Sequence, residues 1–416
     1  MRRPSKDHSQ KLSADSLRLA TLAQGLTQAA SRVEERTWEH SLDHHIHKLL
    51  KGSHQDQIDS ALNHLFTSDL NGYDALMEAV EACSESCQLE FGDPKQPWQA
   101  LLVAAPILAW TRYSIDSGPI PADVLQTISS QFAGLLADDA RHSIMPSLYS
   151  IDQLPRNHGD THSLTQRMAQ AALKGSTLRA PAKPAETAPF LADTRYLLAA
   201  VVVKPGAPVF RWQMAALQNN FVAERANALA QWRTQALPAI TRLLPGCGIE
   251  LLLPEAYFIA CREADKLVRP ITIRAAVHYL TQTLNVKPDE LRAIVAPFGE
   301  ENGSGMVDEY RIAFTQRQSA DVMYGIVWPL YGPEDEDGTP EESMLISGMP
   351  SPPKKAINEI MDLLKEAGVT QVQRHAERFP SEYCDDCGAP LFADTDSELV
   401  HAEMPEDTPA GSEHFH

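Results

Sequence analysis

The chain has 416 residues, more than one hydrophobic core usually serves, so two or three domains are expected. A composition of 43 % hydrophobic and 22 % charged residues excludes a disordered chain. The formal net charge of −19 disfavours nucleic acid and anionic membranes as partners unless Lys and Arg cluster on one face, and no such cluster is visible along the sequence.

Six scattered cysteines, Cys83, Cys87, Cys247, Cys261, Cys384 and Cys387, are too few for a disulfide framework and point to a reducing compartment. The opening Met1-Arg2-Arg3-Pro4-Ser5-Lys6 is basic but runs into Asp7, His8, Ser9 and Gln10, so it is not expected to be a signal peptide. No run approaches the roughly eighteen apolar residues of a membrane span. The best, 197–203, is strand-sized. A cytoplasmic protein is expected.

From the N-terminus, apolar residues recur every three or four positions, with cap residues and glycines between the runs, which predicts helices. Leu19, Leu22, Leu26 and Val33 form one stripe, and Trp38, Leu42, Ile46 and Leu49 a second. Ile58, Leu62, Leu65 and Phe66 form a third, and Tyr73, Leu76, Val80, Cys83 and Cys87 a fourth. Val124, Ile128, Phe132 and Leu135 repeat the pattern. Short polar connections imply antiparallel helical hairpins, and no fixed period decides for a solenoid. Residues 143–160, with Pro146 and Pro155, read as irregular; 161–173 are again helical, with Gly175 as the stop. An all-helical domain over 1–178 is therefore expected, followed by a Pro/Ala-rich linker over 179–193.

Beyond the linker, short aliphatic runs alternate with helices. Residues 196–203, 249–253 and 292–297 read as strands, with a long helix over 211–236 between the first two. Residues 310–315 and 322–328 alternate with period two and predict an antiparallel hairpin. A helix over 354–367 and a strand near Val372 follow. The fold class is read as α+β: the helical domain, then an α+β domain over 194–406 with a mixed sheet, then a flexible tail over 407–416. Within the second part, the acidic Glu334-Asp335-Glu336-Asp337-Gly338 places its glycine too early for a calcium loop and reads as a solvated turn. Asn302-Gly303-Ser304-Gly305-Met306 has no basic companion and reads as a loop rather than a phosphate cradle.

The chemically pointed feature is Cys384-Asp385-Asp386-Cys387-Gly388. C-x-x-C spacing lets two sulfurs face one cation, and the glycine permits a tight turn behind them. The two aspartates are expected to raise the thiol pKa, which argues for a bound cation over a redox dithiol. A closed zinc site needs two more ligands. His401 follows Cys387 by fourteen residues and His375 lies at the last predicted strand, so Cys384, Cys387, His375 and His401 are the expected metal ligands and a structural zinc ion the expected cofactor. His414 and His416 compete only from the presumed tail.

Other clusters carry less. His40, His44 and His47 share one helix face, but a face opposite the apolar stripe, where histidines are usually polar surface. Cys83 and Cys87 continue an apolar stripe and read as small buried hydrophobes. Cys261, Arg262, Glu263 and Asp265 follow a strand and are candidates for a pocket wall, although Glu263 with Lys266 and Asp265 with Arg269 also read as ordinary helical charge pairs. G-x-x-x-x-G-K-[ST], G-x-G-x-x-G after a strand, H-E-x-x-H and G-x-S-x-G are all absent from the sequence, so no nucleotide cofactor is indicated.

Tyr383-Cys384-Asp385-Asp386-Cys387-Gly388-Ala389-Pro390-Leu391-Phe392, followed by His401-Ala402-Glu403-Met404-Pro405-Glu406-Asp407, resembles the signature of an uncharacterised bacterial family, a domain of unknown function. Val209-Phe210-Arg211-Trp212, the Cys261–Asp265 helix, Asp308-Glu309-Tyr310-Arg311 and Val327-Trp328-Pro329-Leu330 extend the resemblance over most of the second half. It implies a bacterial cytosolic setting and no catalytic residues. The expected function is thus a non-catalytic interaction or regulatory protein with a structural zinc-type site, whose partner is a protein or a second copy of the chain. The alternative is a metal-dependent enzyme with a cleft beside the Cys261–Asp265 helix.

Overall fold

A computed structural model describes residues 12–180, 190–215, 220–299, 307–330 and 355–404. The acidic 334–338 run, the 302–306 glycines, most of the expected linker, and His414 and His416 with the expected tail lie outside these residues.

Four helices open the fold: α1 (Ala14–Thr27), α2 (Arg32–Lys51), α3 (Gln55–Ser68) and α4 (Leu70–Glu85). Side-chain caps start three of them: Ser13 accepts from the Ser16 amide, Ser31 from Glu34 and Asp69 from Gly72, each taking up a backbone donor that the helix leaves unpaired. Their stripes meet in one core of Leu19, Leu42, Ile46, Leu49, Ile58, Leu65, Leu76 and Val80. Val33 is a correction: the first helix ends at Thr27, before the Ser31 cap, and Val33 lies in the first turn of the next helix, 76 % exposed.

The expectation of helix throughout 1–178 does not hold: Ala122–Ala133 and His158–Lys174 are helices as expected, but the unbroken helical part ends at Glu85. Four strands follow within that range: β1 (Ser86–Phe91), β2 (Gln96–Trp110), β3 (Gly118–Pro119) and β4 (Arg141–Ser150). β5 (Ala192–Val203) pairs with both β2 and β4, giving the order β1-β2-β5-β4-β3. The expected linker thus joins parts of one sheet. β6 (Gly248–Leu251) and β7 (Glu255–Ala256) share the β2 edge with β1, and every pairing in this sheet is antiparallel.

The long β2 and β5 are buried on both faces. Val103, Ile107, Leu197 and Val201 face α5 (Ala122–Ala133) and α8 (Phe221–Leu243), through Ile128, Phe132, Trp232 and Ile240. Leu102, Leu108, Leu198 and Tyr196 face α6 (His158–Lys174) and α9 (Tyr257–Leu284), through Leu164, Met168, Ala260 and Ala264. A short α7 (Arg211–Ala215) lies ahead of α8, in place of the start of the expected continuous helix. Gly175 ends α6 in the left-handed conformation, as its position suggests.

α9 has 28 residues, about 42 Å of helix, and serves both sheets. Its second half, with Ile273, Val277 and Leu280, packs with α10 (Ala356–Glu366) on a second sheet of β8 (Leu291–Gly299), β9 (Glu309–Gln316), β10 (Tyr324–Pro329) and β11 (Gln371–Arg374). The order is β10-β9-β8-β11. β9 runs antiparallel to β8 and β10, whereas β11 and the short β12 (Phe379–Pro380) run parallel to β8, so this sheet is mixed and the fold is α+β. Its other face exposes Ile294, Ala313, Ala296 and Phe298, which the last described residues cover with Phe392, Ala393 and Phe379. Among the described residues, no helix is long and apolar enough to cross a membrane.

Candidate metal centre

After β12 the chain makes a narrow hairpin whose tip is the C-x-x-C segment. Tyr383 bridges Pro390, the Cys384 amide donates to the Ala389 carbonyl at 2.7 Å, and the Gly388 amide donates to the Cys384 carbonyl at 2.8 Å. Gly388 has φ 75°, a conformation that a side chain disfavours, which is why glycine follows the second cysteine. In this turn the amides of Cys387 and Asp386 point at the Cys384 sulfur.

Those amides overturn one expectation. The Asp386 charge does raise the Cys384 pKa, but the Cys387 amide first, then the Asp386 amide and the Cys387 side chain, outweigh it and hold the thiol below its ordinary value. The local backbone therefore favours a thiolate, the form that binds metal.

A second hairpin supplies the histidine. β13 (Phe392–Ala393) pairs with β14 (Leu399–Val400) across a turn in which the Asp394 carboxylate accepts the amides of Asp396 and Glu398, with Ser397 left-handed at φ 68°. His401 follows β14 directly. The Glu403 amide then donates to the Val322 carbonyl at 2.9 Å, fixing the segment against the loop before β10.

Cys384, Cys387 and His401 converge, with one ligand atom from each lying within 4.8 Å of the others. Cys387 Sγ is 3.2 Å from His401 Nε2. Ligand distances of about 2.3 Å for sulfur and about 2.0 Å for nitrogen place a tetrahedral pair about 3.5 Å apart, so this pair fits an ion after a few tenths of an ångström of movement. The other ring nitrogen, Nδ1, faces the Glu403 carboxylate at 3.4 Å, the position from which a carboxylate orients a ligating imidazole. Asp385, Asp386 and Cys387 are exposed, which leaves the cation-favouring charge open to solvent.

His375 does not join this group. It is 8 % exposed; Nε2 lies 2.8 Å from the Asp394 carbonyl and Nδ1 3.3 Å from Ser397 Oγ, so its ring braces the β13–β14 turn. It holds the hairpin that presents His401. Arg311 on β9 acts similarly and was not among the expected site residues. It is 1 % exposed, and its Nη1 donates to the carbonyls of Glu382 and Leu391, which flank the cysteine hairpin, while Nε pairs with Glu309 at 2.7 Å. Only the charges of Asp308-Glu309-Tyr310-Arg311, which lead into a largely buried strand, hint at it in sequence.

The remaining candidates are structural. His40 and His44 are exposed, and His47 turns toward His162, with ring centroids 6.1 Å apart; the three form no metal-ligand group among the described residues. Cys83 and Cys87 are buried, with burial pushing the Cys87 thiol up to about 12. Along the Cys261–Asp265 turn of α9, Arg262 grips both carboxylate oxygens of Glu81 at 2.7 Å, while Asp265 accepts from the Tyr196 hydroxyl at 3.4 Å. These contacts tie α9 to α4 and β5.

No curated protein and no solved structure matches the chain. A family does: by a match over residues 4–415, the chain belongs to the family described as Protein of unknown function (DUF2863).

Proposed function

We propose that this is a non-catalytic interaction or regulatory protein of the cytoplasm, in which a structural zinc-type ion on Cys384, Cys387 and His401 clamps the C-terminal hairpins to the second sheet. The observation that carries this reading is the meeting of two thiols and an imidazole from separate hairpins, with a carboxylate behind the imidazole. Two sulfurs and a nitrogen suit zinc better than magnesium or calcium, which take oxygen. A short two-rung hairpin such as β13–β14 has little stability of its own, so an ion that crosslinks it to the cysteine hairpin serves a structural purpose. The partner is a protein or a second copy of the chain, in keeping with the net charge of −19.

Elemental analysis of the purified protein tests this reading. The expected result is zinc in proportion to chain, lost in Cys384→Ser and His401→Ala variants; metal-free protein of unchanged stability would contradict it.

One observation favours a second reading. The described residues offer three ligands, the number that leaves a catalytic ion one position for water. A bound ion with exchangeable water would support a metal-dependent enzyme; a fourth protein ligand would support the structural role.

A further inference from the structure

The two metal-binding sulfurs are also the accessible dithiol of the chain. Cys387 is exposed and Cys384 half-buried. Cys83 and Cys87 lie in the cores, and Cys261 on α9 packs with the apolar residues beneath the first sheet. Cys247 is half-buried beside the other face of that sheet. In the metal centre the Cys384 and Cys387 sulfurs lie within 4.8 Å of each other, at the tip of a turn closed by the Gly388 amide, and both belong to the same short loop. A disulfide between them needs movement of that loop alone.

We propose that Cys384 and Cys387 form a site of reversible oxidation by hydroperoxides, at which formation of their disulfide expels the metal ion and unfastens the His401 segment. The inference rests on the metal reading above. In the first step the exposed Cys387 thiolate attacks the outer peroxide oxygen; the S–O bond forms, the O–O bond breaks, and the departing alkoxide or hydroxide takes a proton. The Cys384 thiolate then displaces hydroxide from the Cys387 sulfenic acid, which leaves as water after taking a second proton. Two sulfurs have lost two electrons and one peroxide bond has gained them; zinc, which is redox-inert, changes only its ligands.

The consequence follows from the ligand count. A disulfide removes two of the three described ligands and leaves His401 alone, which is too few to retain the ion. Residues 401–404 are then held by the two rungs of β13–β14 and the His375 brace on its turn, the apolar contacts of Val400, Ala402 and Met404, and the Glu403 amide on Val322. Oxidation thus converts a crosslinked segment into one held by weak contacts, which suits a protein whose partner is chosen by thiol state.

The test uses the full-length, zinc-loaded protein treated with hydrogen peroxide. Released zinc is followed with a chromogenic chelator, thiols are mapped by alkylation and mass spectrometry, and dithiothreitol is added afterwards. The expected result is zinc release in step with a Cys384–Cys387 disulfide, with rebinding after reduction. Zinc-loaded protein that keeps its ion and both alkylatable thiols, or that oxidises first at Cys247 or Cys261, overturns the inference and leaves the metal reading standing. Protein that takes up no zinc at Cys384, Cys387 and His401 overturns both.

Discussion

Phe392 fills the space that a side chain at position 325 would need: a Cβ built on Gly325 would lie 2.1 Å from Phe392 Cζ. Gly325 sits on β10, and its missing side chain lets the C-terminal hairpin seat on the open face of the second sheet beside Ile294 and Ala313. The candidate metal centre therefore depends on a contact of β13, the strand that lies between its cysteines and His401.

Gly325→Ala is expected to force Phe392 out of this seat and destabilise the protein by about 1–3 kcal/mol, the usual range for overpacking. Thermal unfolding of the single variant and of Gly325→Ala with Phe392→Leu checks this. The smaller side chain at 392 should recover part of the loss, and a single variant as stable as the parent would contradict the packing account.

Arg311 carries a larger effect. Its side chain is fully buried, and its removal strands the Glu309 carboxylate as well as the carbonyls of Glu382 and Leu391. Breaking a buried charge pair from one side costs about 3–5 kcal/mol. Arg311→Met should lower the urea midpoint accordingly and weaken zinc binding with it, because both flanks of the cysteine hairpin lose their anchor.

Glu403 should act on the ion alone. Its carboxylate is 79 % exposed and lies 3.4 Å from His401 Nδ1. Glu403→Gln is expected to weaken zinc affinity by about 10-fold, the low end for an outer partner of a ligating histidine, with no change in the unfolding midpoint of the metal-free protein. Chelator competition measures the first quantity and thermal unfolding the second.

Glu85 gives the protein a pH dependence. It ends α4, and its carboxylate accepts the Phe258 amide at 3.0 Å at the start of α9. Burial pushes its pKa from 4.5 up to about 7, with the amides of Phe258 and Tyr257 and the charge of Arg262 opposing and that of Glu81 reinforcing the rise. The folded state thus holds this proton more tightly than the unfolded chain, so its contribution to stability is complete below about pH 4.5 and is lost as pH rises through 7. Glu85→Gln should remove a decline of about 1–3 kcal/mol between these limits, read as a flatter plot of unfolding free energy against pH.

Legibility in the sequence followed burial geometry. The hairpin of β9 and β10 was readable because Tyr324, Ile326 and Trp328 alternate with less buried neighbours. β2 was not: from Leu102 to Ala109 it is buried on both faces, so its run of Leu, Val, Ala and Ile lacks any alternation, and Pro106 within it argues against a central strand. Without that signal the first part reads as all-helical. At the candidate metal centre, C-x-x-C-G marks the turn and the fourteen-residue spacing favours His401, but nothing in the spacing excludes His375. What separates them is that Asp394 and Ser397 occupy both nitrogens of one ring, a tertiary fact. The lowered Cys384 pKa was hidden for the same reason, since charges are written in the sequence and the direction of an amide is not.

The most direct test of the account is X-ray absorption at the zinc edge on the metal-loaded protein. The account predicts two sulfur ligands at about 2.3 Å and a histidine nitrogen at about 2.0 Å, with one sulfur lost in Cys387→Ser and the nitrogen changed in His401→Ala. A shell made of oxygen and nitrogen alone, unaltered by either substitution, would contradict it.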